Sequence, residues 1–361
     1  MRQKTPDNNQ THYTLPAEWS EQDGVQLTWP HAGTDWHAYL DEITETYLQL
    51  TRVIAEREQV LIATPEPEQV RQLIARHLPA EWHRRVQIYR CESNDTWARD
   101  HGALTLTPTD KAQEGTCLLL DFRFNGWGEK FAASLDNTIT RQLWAQGAFR
   151  GELQDHDDFV LEGGSIESDG EGILFTTSTC LLAPHRNQPL TREEIEVELK
   201  RRLGMQQMVW IDHGELEGDD TDGHIDTLVR PAPHHTLVYC GPGPDDDPQH
   251  ESLVRMREQL QHLRTPQDEP YRLIELPLPS PIWYDGERLP ATYANYLILN
   301  GAIVLPTYGQ PANDQKAAEQ LQKAFPHHEI VGVDARTIVR QHGSIHCLTM
   351  QYPKGTLTPS K

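Results

Sequence analysis

Apolar residues recur along the chain with two periods, one of about 3.6 residues and one of two residues. A helical spacing covers residues 39–58, and a β-rich run at 59–63 follows it directly. The same order returns at 66–77 and 86–89, where a helical spacing again precedes a β-rich run. The pattern predicts amphipathic helices, each followed by a buried strand.

Two further helices are predicted later in the chain. Thr191 and Glu194 form a capping box ahead of a helical spacing, and the strand MVWI at 208–211 follows. A second helical spacing begins after Asp314 and precedes a strand at 329–333. The apolar residues that define the two helices are Ile195, Leu199, Leu203, Ala317, Leu321 and Phe325.

Additional short β-rich runs lie between these helix and strand pairs, at 117–122, 172–176, 237–240 and 293–299. They leave about one strand pair for every helix and its following strand. The fold class is therefore α/β, without simple β-α alternation. No sequence repeat of fixed period is present, so the pattern alone leaves the topology open.

The composition indicates one globular domain that covers residues 1–361. No Gly/Ser tract, Pro-rich spacer or long single-sign run divides the chain, and 37% hydrophobic residues with nine Trp supply a core. The N-terminal sequence MRQKTPDNNQTHYTLP lacks an apolar stretch of signal-peptide length, and no run of about 18 apolar residues follows. We therefore expect a cytoplasmic protein.

The formal net charge of −22 limits the classes of partner. Nucleic acids and anionic membranes bind basic surfaces, so we expect neither as a partner. A small cationic molecule is the natural counterpart, although acidity also simply aids solubility. A homo-oligomer is compatible with the sequence, which does not define the oligomeric state.

The five cysteines are Cys91, Cys117, Cys180, Cys240 and Cys347. Their number is odd and no CxxC pair occurs, so neither a disulfide framework nor a thiolate zinc site is indicated. A lone cysteine such as Cys347 is either a buried thiol or a nucleophile. Its position along the chain does not decide between the two.

Four segments combine glycines with ionisable or aromatic residues: NDTWARDHG at 94–102, LEGG at 161–164, DDTDGHID at 219–226 and HGSIHC at 342–347. Each is predicted where a strand meets a turn, which is where α/β proteins place reactive groups. The segments predict a site that is built from distant parts of the chain.

His224 and Asp226 project from the same face of their segment if that segment is extended. The pair could serve as metal ligands, as an acid/base pair or as a surface feature. Clustered acids at Asp219, Asp220, Asp222 and Asp226 would raise the pKa of the imidazole and keep it protonated near neutral pH. A protonated imidazole suits a general acid.

Seven motifs extend in order over nearly the whole chain: LPAEWSEQDGVQLTWP, NDTWARDHG, FNGWG, LEGGSIESDGEGILFTTSTCLLAPHRN, DTDGHID, YANYLILNGAIVLPTYG and HGSIHCLTMQ. Together they resemble the agmatine deiminase and bacterial peptidylarginine-deiminase-like family, within the guanidino-group-modifying superfamily. The resemblance implies a five-bladed, pseudo-symmetric α/β-propeller of ββαβ units around a central active site.

The resemblance also implies roles for individual residues. Cys347 becomes the nucleophile, His224 the acid/base, and Glu162 the carboxylate that orients the histidine. Asp100 and Asp226 become the carboxylates that bind a guanidinium.

Without the resemblance, simpler interpretations would hold for two of these carboxylates. Glu162 would be a loop carboxylate or a helix cap, and Asp100 would pair with neighbouring Arg99. Aromatic residues in the matching motifs are expected to wall the pocket, and they are Trp29, Trp97 and Trp127.

A guanidinium presents a planar fork of N–H donors that paired carboxylates accept, and its delocalised charge makes the carbon resist water. A thiolate is a better nucleophile, and its formation at pH 7 costs about 2 kcal/mol for an unperturbed thiol. The implied reaction passes through a covalent thiouronium on Cys347, which water converts to a ureido product. No metal or other cofactor is needed.

Agmatine is the expected substrate, giving N-carbamoylputrescine and ammonia, a step of polyamine biosynthesis. Arginine and peptidylarginine share the reacting group and remain alternatives, as does an amidinotransferase of the same superfamily. A non-catalytic guanidino or polyamine binder would have no need of Cys347. A metal-dependent hydrolase would use His224, Asp226, Asp219 and His346, yet no HExxH or CxxC motif occurs.

Overall fold

The computed structural model describes residues 12–109 and 116–360. Residues 1–11, which belong to the segment considered for a signal peptide, lie outside these ranges. Within them, no helix is long and apolar enough to cross a membrane.

Strands and helices alternate along the chain. The strands are β1 (Tyr13–Thr14), β2 (Gln22–Thr28), β3 (Gln59–Thr64), β4 (Val86–Arg90), β5 (Leu104–Pro108), β6 (Leu118–Arg123), β7 (Glu152–Val160), β8 (Ile166–Ser168), β9 (Ile173–Thr177), β10 (Gln207–Ile211), β11 (Val229–Ala232), β12 (Thr236–Cys240), β13 (Arg272–Leu276), β14 (Trp283–Tyr284), β15 (Glu287–Arg288), β16 (Leu297–Leu299), β17 (Ala302–Thr307), β18 (Glu329–Asp334) and β19 (Thr349–Pro353). The helices are α1 (Leu40–Ala55), α2 (Pro67–His77), α3 (Ala80–His83), α4 (Ala98–His101), α5 (Gly126–Glu129), α6 (Ile139–Ala145), α7 (Ser178–Leu181), α8 (Arg192–Leu203), α9 (His250–His262) and α10 (Pro311–Ala324).

The strands pair as five ββαβ units. In each unit two strands pair antiparallel, a helix follows, and a third strand pairs parallel to the second. Four units are contiguous in sequence: β5-β6-α6-β7, β8-β9-α8-β10, β11-β12-α9-β13 and β16-β17-α10-β18. The fifth joins the two ends of the chain, because β19 pairs with β2, and β3 and β4 extend that sheet in parallel.

The α/β fold class predicted from the pattern is confirmed, and the extra β-rich runs are the additional strands of the ββαβ units. The described strands form six separate sheets, the sixth being the β14-β15 ribbon, and none of these sheets closes on itself. Strand pairing thus establishes the units, whereas their arrangement as a propeller stays an expectation.

The predicted capping box of α8 is present: the Thr191 hydroxyl accepts from the Glu194 N–H, and the Glu194 carboxylate accepts from the Thr191 N–H. Two element boundaries were wrong. Helix α10 begins at Pro311, before Asp314, because proline fits the first turn of a helix. The strand predicted at 293–299 is reduced to β16, because residues 293–294 form a turn and residues 295–296 lie outside any strand.

Connections between units carry the predicted site residues. Asp100 lies on α4, between β4 and β5, and Glu162 lies between β7 and β8. His224 and Asp226 lie between β10 and β11, and Cys347 immediately precedes β19. Side chains from distant parts of the sequence are thus placed at the ends of neighbouring sheets, as expected for an α/β protein.

Candidate active site

A cavity of about 540 Å³ lies where these connections meet. Its wall includes Cys347 and Asp100 together with the indoles of Trp97 and Trp127. Other carboxylates also line it, those of Asp35, Asp95, Asp136 and Asp220. A cavity of this size suits a small molecule.

The structure does not bring Trp29 to this cavity, which corrects the expectation that it walls the pocket. The Trp29 ring packs edge-on against Tyr47, with 5.4 Å between ring centroids, within the apolar core. Trp29 directly follows the buried strand β2 and is itself buried. Its side chain therefore belongs to the core instead of the site.

Asp100 does not pair with neighbouring Arg99, whose guanidinium reaches Glu18 at 2.8 Å. One Asp100 oxygen, Oδ2, accepts from the Trp127 indole N–H at 3.0 Å, and Oδ1 accepts from the Gly164 N–H at 3.1 Å. Burial raises the pKa of Asp100 to about 6, with Asp226 and Glu162 adding to the rise and His224 opposing it. The two donors orient this carboxylate.

An unusual backbone conformation aims the Trp127 indole at Asp100. Trp127 has φ of 56° and is flanked by Gly126 and Gly128, which also have positive φ. A bulky residue rarely adopts this conformation, and it persists where surrounding structure enforces it. Asn125 supplies part of that support, because its side chain accepts from the Gly128 N–H at 3.0 Å.

The segment of His224 and Asp226 is not extended, so alternation along a strand does not bring the two side chains together. Residues Ile225–Thr227 form a 3-10 turn, which sends both side chains into the buried interior. His224 Nδ1 lies 3.7 Å from Asp100 Oδ1. Burial by itself lowers the pKa of His224, but Asp100, Cys180 and Asp226 outweigh burial and hold that pKa well above its ordinary value.

The expected acid cluster around the imidazole is right for Asp226, which raises the pKa of His224, but two other members of the cluster have other partners. Asp219 accepts from the Thr221 hydroxyl and the Gly223 N–H, which shapes the turn. Asp222 binds Arg186 at 2.6 Å and Lys130 at 2.9 Å. Asp100, from a distant part of the chain, joins Asp226 near the imidazole.

Glu162 contacts Arg186 directly. The Arg186 Nε donates to both Glu162 oxygens, at 3.1 and 3.3 Å, and both side chains are fully buried. A Glu162 oxygen, a His224 nitrogen and the Cys180 sulfur lie within 4.8 Å of one another. Glu162 is therefore next to the histidine, but no hydrogen bond joins them among the described residues.

Gly164 lies where three of these side chains meet. A Cβ atom on it would lie 2.5 Å from His224 Nδ1, 3.1 Å from Asp100 Oδ1 and 3.2 Å from Asp226 Oδ2. The LEGG motif therefore requires glycine here, because any side chain would displace the ionisable groups.

Cys347 is 5% exposed, and its sulfur lies 3.9 Å from Asp226 Oδ2. Burial raises the pKa of the thiol well above its ordinary range, and Asp226 and Asp100 raise it further. Burial alone would also raise the pKa of Asp226, but the hydrogen bond from His346 keeps it below its ordinary value. The unliganded site thus holds a neutral thiol beside negative charge.

The four ligands of the metal-dependent alternative form no common group in residues 12–109 and 116–360. Two other groups have ligand atoms within 4.8 Å, Glu162–Cys180–His224 and Glu18–Glu167–His346. A buried guanidinium already binds an acid in each, that of Arg186 in the first and that of Arg230 in the second. The positive charge of these arginines opposes a second cation at either place.

Known proteins resemble this chain in fold and sequence. The family model of the Porphyromonas-type peptidyl-arginine deiminases matches residues 14–353. The chain belongs to this family. It is therefore a hydrolytic enzyme that acts on the C–N bonds of linear amidines, as its agmatine deiminase-like relatives are.

Similar proteins extend over nearly the whole chain. A curated protein of Shewanella sp. (strain MR-7), named "Putative agmatine deiminase", is 32% identical over 98% of this chain and 97% of its own. An agmatine deiminase of C. jejuni with substrate bound is 37% identical, with a TM-score of 0.87 over 98% of this chain and 99% of that one. A Porphyromonas gingivalis structure, named "Putative Arginine Deiminase", is 44% identical, with a TM-score of 0.89 over 96% and 100%.

Two residues that contact the site were not predicted from the sequence. Arg186 binds Glu162 and the 219–226 turn, and Asn295 contacts both Asp226 and Cys347. Both lie inside motifs that carry the family resemblance, but a motif does not indicate which distant side chains its residues contact.

Trp127→Phe should shift the acid limb of the pH profile of kcat/KM to higher pH. The variant keeps an aromatic wall but removes the N–H that stabilises ionised Asp100. A hydrogen bond to a charged group contributes about 1.5–3 kcal/mol, so the pKa of Asp100 should rise by about one unit or more. Steady-state kinetics from pH 5 to 8 measure the shift.

Trp144→Phe is the matched control, because its indole N–H donates to a carbonyl away from the cavity, that of Gly151. Its acid limb should coincide with that of the unsubstituted enzyme. Coincident limbs for Trp127→Phe as well would show that the indole N–H does not support Asp100.

Proposed function

We propose that the chain hydrolyses agmatine to N-carbamoylputrescine and ammonia through a covalent intermediate on Cys347. The observation that carries this proposal is the placement of one thiol, Cys347, at an acidic cavity that Asp100 also lines, with the fully buried carboxylate of Asp226 3.9 Å from its sulfur. The carboxylates suit the N–H donors of a guanidinium, and the thiol suits attack on its carbon.

The charge of the cavity wall favours agmatine over arginine. Besides Asp100, the residues that line the cavity within the described ranges include four aspartates and no lysine or arginine. Agmatine carries an ammonium at its far end, whereas free arginine also carries a carboxylate that would need a cation there. The names of the relatives include both substrates, so the preference for agmatine rests on the charge of the cavity wall.

Asp220 is the carboxylate best suited to the ammonium. Asp95 accepts from the Trp36 and Trp97 indoles, and Asp136 accepts from backbone N–H groups. In the described part of the chain, the Asp220 carboxylate accepts no hydrogen bond from another residue. Burial, with a contribution from Asp219, raises its pKa to about 6, while His342 and Lys130 oppose the rise. An ammonium would supply the missing donors and stabilise the ionised form.

Substrate binding prepares the nucleophile. The guanidinium introduces positive charge between Asp100 and Asp226, the groups that add to the high pKa of the Cys347 thiol. This charge offsets the cost of releasing the thiol proton to solvent, and the resulting thiolate attacks the guanidinium carbon. His224, protonated beside Asp100, donates a proton to the departing ammonia.

The second half of the reaction uses the same groups. Once ammonia has left with the proton from His224, the imidazole is neutral. It then removes a proton from water, and the resulting hydroxide attacks the thiouronium carbon. The C–S bond breaks and the ureido product leaves Cys347. Glu162, held by Arg186, lies close enough to the ring to support the charge of the imidazolium.

We also infer that the five ββαβ units are arranged as a five-bladed propeller. Connections between successive units each contribute a residue to one site, as a ring would require: Asp100, Glu162, His224, Asn295 and Cys347. A single domain over 1–361, a cytoplasmic location and self-association remain predictions from the sequence.

Ammonia release from agmatine, arginine and a blocked arginine peptide tests the proposed function. Agmatine should have the highest kcat/KM, and its advantage should persist at high ionic strength, since specific contacts are screened less than long-range attraction. Cys347→Ser should abolish release, because serine ionises far less readily than cysteine. Turnover of only the peptide, or undiminished release by Cys347→Ser, would contradict the proposal.

Asp220→Asn should lower kcat/KM for agmatine by about tenfold or more, equivalent to about 1.4 kcal/mol. The kcat/KM for arginine should fall less, so the ratio of the two should decrease. Asp245→Asn is the matched control, since it makes the same change of charge at a fully exposed carboxylate. Equal losses for both substrates would remove Asp220 from recognition of the far end.

A further inference from the structure

Asn295 lies between the proposed nucleophile and one of the proposed guanidinium-binding carboxylates. Its side chain is fully buried in the turn that precedes β16. The Oδ1 atom accepts from the N–H groups of His346 and Cys347 at 3.0 and 3.2 Å, and lies 3.4 Å from the Cys347 sulfur. The Nδ2 atom donates to Asp226 Oδ2 at 3.1 Å.

These contacts fix the orientation of the amide. Two backbone N–H groups require an acceptor on the side of the Cys347 turn, so the amide oxygen must face that turn. The amide N–H₂ must then face the carboxylate of Asp226. A flipped amide would place donors against donors on one side and oxygen against oxygen on the other.

Asp226 shows what this arrangement achieves. Its Oδ2 atom accepts from Asn295 Nδ2 and also lies 2.7 Å from His346 Nδ1. Its Oδ1 atom is buried and has no hydrogen-bond partner among the described residues. Oδ2 is thus occupied by the protein, while Oδ1 remains available for the N–H groups of a bound cation.

We propose that Asn295 is a positioning residue that holds Asp226 Oδ1 toward the substrate and keeps the Cys347 turn in register with it. The inference rests on the proposed function, because it assigns Asn295 a task in the binding of a guanidinium and in its attack by Cys347. Both contacts belong to one rigid amide, so a shift of the turn moves the carboxylate as well.

Asn295→Asp separates this role from simple support of the turn. The variant has nearly the same shape and keeps an oxygen for the two backbone N–H groups. It replaces the donor to Asp226 with a second carboxylate oxygen at about the same distance, and like charges this close raise the pKa of the pair.

Other groups around Asp226 also affect its pKa. His346, His224 and Arg230 favour its ionised form, whereas Asp100 and Glu167 oppose that form. The neutral thiol of Cys347 lies on the same side. These groups are common to both proteins, so dividing the kcat/KM of the variant by that of the unsubstituted enzyme isolates the introduced carboxylate.

At pH 8 the variant should lose about tenfold to a hundredfold in kcat/KM for agmatine, as expected for loss of a hydrogen bond to a charged group. The ratio of variant to unsubstituted enzyme should rise as the pH falls to 6. The reason is that a proton shared between the two carboxylates restores the donor to Asp226. A role in stability alone would leave the ratio independent of pH.

Asn300→Asp is the matched control. The Asn300 side chain also bridges a backbone N–H and a carbonyl, both of Gln22, but it lies outside the site. Its ratio of kcat/KM should stay near that of the unsubstituted enzyme across the pH range.

Calorimetric binding of agmatine in the Cys347→Ser background provides a readout without turnover. Adding Asn295→Asp to that background should weaken binding about tenfold at pH 8 and less at pH 6. Failure of the unsubstituted enzyme to release ammonia from any guanidino substrate would refute the proposed function itself. Normal turnover, with a flat ratio and unchanged binding for the variant, would overturn the role of Asn295 alone.

Discussion

Two buried carboxylates beside one thiol are the constraint on which the rest of the site depends. In a low-dielectric interior, Asp100 and Asp226 repel each other and oppose ionisation of Cys347. The protein holds them in place with donors from the Trp127 indole, the Gly164 backbone and the Asn295 amide. These donors do not cancel the negative charge of the two carboxylates. A guanidinium neutralises the remaining charge when it binds. Affinity for the cation and activation of the thiol then have one physical cause.

The fold supplies this arrangement because the site is assembled from connections between ββαβ units. Each connection leaves the end of one sheet and enters the next, so its few residues need not satisfy a strand or helix pattern. They can adopt conformations that regular elements exclude, such as the positive φ of Trp127 and the 3-10 turn at 225–227. The sheets and helices behind them fix the ends of these segments, which limits how far the ionisable groups can move apart.

Sequence periodicity was sufficient for most helices and strands, because burial of one face leaves a regular mark, as in α1 and α8. The motifs were sufficient to predict that Cys347, His224, Asp100 and Asp226 lie close together. Contacts that depend on three-dimensional proximity could not be predicted in this way. Asp222 was expected beside the imidazole but binds Arg186, and Trp29 belongs to the core although its motif matches. Spacing along the chain reports which face a residue occupies, not which distant side chain it meets.

Intact-mass measurement of the His224→Gln variant after mixing with agmatine tests covalent attack most directly. This variant retains Cys347 and both carboxylates. Loss of His224 slows the departure of ammonia, for which solvent must supply the proton, but it also removes the base that activates water, so an intermediate should accumulate. The expected result is an added mass equal to agmatine minus ammonia, located by peptide mapping on Cys347 and absent when Cys347 is also replaced by serine. An unmodified protein that still releases ammonia, or an adduct on Cys180 or another cysteine, would contradict nucleophilic attack by Cys347.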